Sequence, residues 1–327
     1  MGLNRGRRHT RDSSLAYFIN QLENFDPTLH EPLVAVSWGR DIKLRPGITM
    51  ANESTSFTRQ AFGGQGTLTN SAAPAGGNMP WISQGGESNI ATVMVNGQKI
   101  TLPLRPLARQ VAYSSIELDR SQLTQQPIDS QQLNALNMLY QMNTDQMVYV
   151  GSSDVGATGL VNDTSVTAGT VATGISGSTT WAQKTPQEIL NDVNTLLEQT
   201  WEDAAWAVCP RKLLLPPTQF SLISSQLVSS AGSVSVLTFL KQNSIALQIN
   251  GAELDIQPLK WLPGQGATGT DRMVAYTNDL NYVRFPMVPI RRETAYYQGI
   301  MFHAPYTYAF GEVEFVYPET VRYADGI

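Results

Sequence analysis

The sequence predicts an α+β protein, and three observations carry that reading. Two helical patterns with broad apolar faces, one from Asp129 to Met147 and one from Pro186 to Thr200, have the length of helices packed against a sheet. From residue 281 onward VRFPMVPIR, AYYQGIMF, TYAF and VEFVYPETVRY cluster aromatic and β-branched residues, the composition of strands. Residues 51–90 and 151–178 hold mostly Gly, Ala, Ser, Thr, Asn and Gln and cannot form a core of their own.

With 327 residues the chain can bury a real core, as one large domain or two smaller ones. Charged residues make up only 15%, against roughly 25% in typical soluble domains. Neutral polar residues replace them, which suits a subunit covered by neighbours and equally an ordinary neutral surface. The net charge of −5 excludes a protein that coats nucleic acid over its whole surface. The single cysteine, Cys209, excludes an internal disulfide and, inside AWAVC, reads as a buried small hydrophobe. The basic start leads into polar residues and not into a signal-peptide core. No run approaches the ~18 apolar residues of a membrane span. Gly6 occupies the position where a myristoylation site wants Ser or Thr. The expected protein is soluble and made in a cytoplasm.

In chain order, Arg5, Arg7, Arg8 and Arg11 form a basic segment with His9. Four guanidinium groups on one arm fit non-specific phosphate contacts, and equally a solvated terminus. Leu15, Phe18, Ile19 and Leu22 then recur on one helical face, capped by Ser13 or Ser14 and stopped by Pro27. LVAVSW (33–38) and DIKLRPG (41–47) read as short strands. ESTSFTRQAF (53–62) and IATVMVNGQKITLPL (90–104) read as the strands of a long hairpin arm, with Asn96-Gly97 as a turn signal and breaker clusters at 63–66 and 72–78. Phe57, Phe62, Gly63, Gly64, Met79, Trp81 and Ile82 are the arm's contact and hinge candidates, because an arm so poor in apolar residues has to lie on something else.

Ser114-x-x-Glu117 is a capping box that starts a short helix near Ser115. The long helix from Asp129 carries Leu133, Leu136, Tyr140 and Met147 on one stripe, widened by Ala135, Met138, Leu139 and Met142. Thr185-Pro186-Gln187-Glu188 supplies cap, first-turn proline and capping-box glutamate for the second long helix, whose buried side is Ile189, Val193, Leu196, Leu197 and Thr200. AWAVCP and KLLLPP read as buried strands, TQFSLISSQLV and SVSVLTFLKQN as helices, and IALQI-Asn250-Gly251-AELDI as a hairpin. Pro286, Pro289, Pro305 and Pro318 cut the β-rich tail into short pieces.

Chemistry-bearing constellations are absent from this pattern. His9, His30 and His303 stand apart from one another and from any acidic cluster at metal spacing, so no catalytic, cofactor-binding or metal set is assigned. Glu312 and Glu314 share one face of a strand and read as its wet side. Gly264-Gln-Gly266-Ala-Thr-Gly269 matches the dinucleotide fingerprint but is followed by the strand-like DRMVAYT, so it reads as a surface loop. Asn52-Glu-Ser54 and Asn162-Asp-Thr164 fit glycosylation acceptors, which have no meaning without secretion.

The order of these parts resembles the major capsid proteins of tailed bacteriophages, whose Johnson fold is shared with encapsulin shells. QLENFDPTLHEPL (21–33), LPLRPLARQVAYSSIELDRSQ (102–122), Gly159-Leu160-Val161-Asn162 and the C-terminal RRETAYYQGIMFHAPYTYAFGEVEFVYPETVRYADGI are similar to the branch related to encapsulins and linocins. The resemblance implies an N-terminal arm over 1–52, an extended β-hairpin loop over 53–104 and a peripheral domain with a spine helix over 105–184. It further implies an axial domain over 185–280 and a return to the peripheral domain over 281–327. It implies a structural, non-enzymatic subunit of an icosahedral virion shell, built as hexamers and pentamers around double-stranded DNA in the host bacterial cytoplasm. Separate scaffolding, portal and decoration proteins are the partners such a shell would use, and no membrane or cofactor is involved. The alternative within the same fold is an encapsulin-type nanocompartment. The family's lysine–asparagine cross-link has no nucleophile on the loop tip here, since no lysine lies between Lys43 and Lys99.

Overall fold

The computed structural model describes residues 32–64, 67–69, 93–124, 128–229, 232 and 234–327. Met1–Ala35 form one unit and Val36–Ile327 another. Of the first, only 32–35 are described, without regular structure. The basic segment and the amphipathic helix expected near Leu15 lie outside the described residues. All the regular elements among the described residues belong to Val36–Ile327.

This unit opens on a one-turn helix, α1 (Trp38–Asp41), and the two-residue strand β1 (Lys43–Leu44), where the sequence pattern reads longer strands. The cause is distant in sequence. Asp145 accepts the N–H groups of Ser37 (2.9 Å) and Trp38 (3.1 Å), capping a turn that has no side-chain cap of its own. The arm comes next: β2 (Ser54–Gly64) pairs antiparallel with β4 (Val93–Pro103) in unbroken register from Ser54↔Pro103 to Gly64↔Val93, and β3 (Thr67–Thr69) lies on the other side of β2. Asn96 and Gly97 make no turn, because they sit mid-strand opposite Ala61 and Gln60. Only Leu104 separates β4 from β5 (Arg105–Ser114).

At Ser114 the capping box forms as read. Ser114 N–H donates to Glu117 at 2.8 Å and Glu117 N–H to Ser114 Oγ at 3.1 Å, opening α2 (Ser115–Thr124). The long helix α3 (Ile128–Tyr149) buries Leu136, Tyr140, Val148 and Tyr149, while Leu133, Leu139 and Met142 stay exposed. Its end is closed by the Gly159–Asn162 turn: Leu160 N–H donates to Val148 O, Val161 N–H to Tyr149 O, and Asn162 Nδ2 to Val150 O. Gly159 is required there, since a Cβ would stand 2.3 Å from the Tyr149 carbonyl.

Short strands β6 (Gly151–Ser152), β7 (Ala157–Thr158) and β8 (Thr167–Thr170) lead to α4 (Pro186–Asp203), whose Thr185–Glu188 capping box is complete. Its predicted apolar face is the buried one. AWAVCP forms no strand; Ala205 and Trp206 turn off the helix end at φ +48° and +64°. Then come β9 (Lys212–Leu215), α5 (Pro217–Ser225), α6 (Val236–Asn243), α7 (Ile245–Asn250) and β10 (Asp255–Pro258). The hairpin read at Asn250-Gly251 is instead the end of α7, with Gly251 as its left-handed cap at φ +66°. Positive φ serves a helix C-cap as well as a hairpin turn.

After β11 (Arg272–Tyr276) the tail is all strand: β12 (Val283–Phe285), β13 (Met287–Arg292), β14 (Tyr296–Gln298), β15 (Met301–Phe310), β16 (Glu314–Phe315) and β17 (Val321–Asp325). Pro305 does not break β15. The Pro305 carbonyl accepts from Glu293 at the corner between β13 and β14, so the side without an N–H faces that corner and the ladder to β5 loses no bond.

A five-stranded sheet, β10-β9-β11-β17-β8, forms the wall between two cores. Leu214, Val274, Tyr276, Val321 and Tyr323 face a core shared with α3 and the β12–β16 region. Leu213, Leu215, Met273, Ala275 and Ala324 face the core of α4 to α7. The strand period of two thus feeds both cores from one sheet. A second sheet places β15 between β5 on one side and β13 with β14 on the other.

Candidate assembly surface

The arm is fastened to the body mainly by charge. Glu314 is fully buried between two guanidinium groups, 2.5 Å from Arg45 Nη1 and 2.6 Å from Arg284 Nε. Both arginines continue to the arm: Arg45 Nη2 donates to the Ser56 carbonyl at 3.1 Å, and Arg284 lies over the Phe57 ring at 6.0 Å. Further out along the arm Arg59 pairs with Glu319 at 2.9 Å. Glu314 is therefore not the wet side of its strand. Its neighbour Glu312 is also engaged, accepting from Thr158 N–H at 2.8 Å. The sequence hides this because the two arginines come from 45 and 284, each far from 314.

A second polar cluster ties α1 to α3 and to the five-stranded sheet. Buried Asp41 accepts from Arg40 (2.7 Å), pairs with Lys212 (3.0 Å) and takes the Tyr149 hydroxyl. Lys212 also reaches Asp255 at 2.8 Å. Burial and the adjacent Asp41 charge push the Tyr149 phenol far above its ordinary range. Buried Asp145 caps α1 and also accepts from Trp261 Nε1 (2.8 Å) and pairs with Lys260 (3.0 Å). Side chains near 40, 145, 212 and 260 thus lock four segments into one body.

The GQGATG loop connects to β11, and its backbone donors are spent inside the chain: Gln265, Gly266 and Gly269 donate to backbone carbonyls, and two others to carboxylates. Gly264 N–H goes to Asp271 (3.1 Å) and Ala267 N–H to Asp325 (2.9 Å). Asp325 in turn forks with Arg272 at 2.6 and 2.9 Å. Among the described residues no group of three His, Cys, Asp or Glu is placed to hold a metal ion, and no described helix is long and apolar enough to cross a membrane. A groove of about 380 Å³ is lined by Trp201, Trp206, Cys209, Arg211, Ile249 and Tyr282. Burial pushes the Cys209 thiol up, away from the reactive thiolate. His303 stacks on Tyr296 at 5.0 Å as a packed strand residue.

Of the arm candidates, Phe57 lies at the root against Arg284, and the backbones of Phe62, Gly63 and Gly64 belong to β2 opposite Val95, Met94 and Val93. Met79, Trp81 and Ile82, and Arg5, Arg7, Arg8 and Arg11, lie outside the described residues. Along the arm, residues 95–99 of β4 are exposed throughout. The body also shows an apolar patch that sequence reading passed over: Tyr296, Tyr297 and Ile300 are exposed on and after β14, with Ile116 exposed on α2.

The major capsid protein family matches residues 77–327 of this chain. No curated protein matches it in sequence. Among solved structures the fold is similar to the capsid of Myoviridae phage XM1, at 16% identity over 94% of this chain and 98% of that one, with a TM-score of 0.74. It is similar to the capsid of a native GTA particle at 12% identity, 97% and 99% coverage and a TM-score of 0.61. It is also similar to the holo-SrpI encapsulin complex of Synechococcus elongatus at 10% identity, 95% coverage of each chain and a TM-score of 0.52.

Proposed function

The chain belongs to the major capsid protein family and is a capsid shell subunit, and we propose that it closes an icosahedral shell of pentamers and hexamers around double-stranded phage DNA. The observation that carries this reading is the arm β2–β4. It is rooted in the body by ion pairs, exposes residues 95–99, and leaves the outer edge of β4 without a strand partner among the described residues. Such an arm gains partners on a neighbouring subunit that it lacks alone. In this reading Phe57, Phe62, Gly63, Gly64, Met79, Trp81 and Ile82 make or articulate that contact. The 185–280 segment meets its copies around the axis of each capsomer, and 105–184 with 281–327 forms the periphery. Arg5, Arg7, Arg8 and Arg11 neutralise packaged DNA without sequence preference, each phosphate contact contributing a salt slope of about −0.9. The subunit performs no catalysis, assembles in the host cytoplasm and ends in the virion. With no lysine between Lys43 and Lys99, the shell is held by non-covalent contacts.

A nanocompartment around enzyme cargo is the second reading, supported by the fold likeness to the SrpI encapsulin. The content of purified particles separates the two: nucleic acid for a virion, a co-purifying enzyme for a compartment. The test of the arm is deletion of residues 63–86. The expected product is a folded subunit that no longer closes shells in negative-stain electron microscopy; normal particles from the deletion would refute the reading.

A further inference from the structure

The strand that joins arm to body leaves one hydrogen-bonding edge open, and that edge is complementary to itself. In an extended strand the N–H and C=O of one residue point to the same side, and successive residues alternate. Ser115 donates to Ile300 O beside β15, and Leu104 donates to Glu53 O on the opposite side. Odd-numbered residues of β5 therefore face β15, while even-numbered ones face away. The register agrees: Phe302↔Tyr113 faces inward on both strands, whereas Pro305, opposite Gln110, turns its carbonyl to Glu293. Along the outward edge Leu104 is taken by the arm, Pro106 has no N–H, and Ser114 N–H is taken by Glu117. The N–H and C=O groups of Ala108, Gln110 and Ala112 remain, without a partner strand among the described residues, and residues 105–110 are exposed.

We propose that this edge pairs antiparallel with the same edge of a second copy, about a two-fold axis through Gln110. The proposal rests on the shell-subunit reading, because three residues a side fall well below the roughly 1,200 Å² of a stable interface and draw strength from the other contacts of an assembly. In this register Ala108 faces Ala112 of the second copy, and Gln110 faces Gln110. Pro106 then faces Ser114 of the second copy, so the position without an N–H meets the one whose N–H is already spent. The pairing ends there on both sides. Methyl side chains at 108 and 112 let the strands reach the ~4.8 Å spacing of a sheet without obstruction. Charge fits as well. Arg105 opens the strand, Glu117 and Asp119 follow its end on α2, and antiparallel pairing sets the basic start of each copy beside the acidic end of the other. Arg109 is drawn away from its symmetry mate by its bond to the Tyr308 hydroxyl at 3.2 Å.

The one native cysteine is buried, so introduced cysteines read out cleanly. Facing Cα atoms in a hydrogen-bonded antiparallel pair stand about 5.5 Å apart, within disulfide reach. Gln110→Cys is expected to give a disulfide-linked dimer under mild oxidation, in particles and in concentrated soluble subunit. Ala108→Cys and Ala112→Cys are expected to give none singly and a dimer when combined. Ala108→Pro removes only an outward N–H, so the subunit is expected to fold while particle yield drops tenfold or more. Absence of the Gln110→Cys dimer, or a normal particle yield from folded Ala108→Pro, would overturn the proposal. A Gln110→Cys dimer from a protein that builds no particles would sink the shell reading and leave the edge pairing standing.

Discussion

Replacing Glu314 by Gln tests whether the arm is held by one buried carboxylate. In the native structure both oxygens are committed, one to Arg45 and one to Arg284, and the side chain has no exposure. The amide keeps one acceptor for one guanidinium and turns an N–H₂ group toward the other, so a favourable contact becomes donor against donor. Breaking a buried pair costs about 3–5 kcal/mol. The two arginine side chains keep 23% and 21% exposure, so water recovers part of the loss and about 3 kcal/mol is expected. At roughly 2.1 cal/mol/K per residue, a cooperative unit of about 290 residues loses about 5 °C in Tm. Differential scanning calorimetry of soluble subunit measures this, and limited proteolysis at Arg59 reports whether the root has loosened. A Tm within 1 °C of wild type, with unchanged cleavage, would show that the carboxylate does not hold the arm.

Two further outcomes follow from local geometry. Backbone N–H groups of Thr185 and Ile175 hold the Glu188 carboxyl below its usual range. Its stabilising contribution is therefore present above the ordinary carboxylate pKa and is lost as pH falls through the lowered folded value; the Tm gap between wild type and Glu188→Gln, open at pH 7, should close in acid, as a pH series of melts would read. Gly159→Ala places a Cβ against the Tyr149 carbonyl at the end of α3, and about 3 kcal/mol or more of destabilisation is expected, read as loss of soluble yield and a lowered urea midpoint; wild-type stability would mean that the turn shifts freely.

What the sequence made legible was whatever is encoded within a few residues. Ser114-x-x-Glu117 and Thr185-Pro-Gln-Glu188 became capping boxes, and the Ile189–Thr200 stripe became the buried face of α4. The paired strands flanking 63–92 were legible from composition and alternation. Asn-Gly was ambiguous because a positive-φ preference does not say which structure uses it: Gly251 ends a helix, and Gly97 is overridden by eleven paired positions of β2 and β4. The one-turn helix at Trp38 depends on Asp145, and the arm root joins 45, 284 and 314. No local window contains those partners. The order of motifs along the chain, and not any single motif, is what pointed to the capsid family.

The passage of one strand from arm to body has a mechanical consequence. A neighbour that tugs on the arm pulls on residues 93–103, which continue through Leu104 into a strand paired with β15 at every position from Arg105 to Ser114. A load along that axis strains all the interstrand bonds at once, in shear, instead of opening them in turn like a zipper. Under the proposed contact between arm and neighbour, the body sheet is the anchor for tension between subunits, and among the described pairings the three-residue one of β3 on β2 peels first.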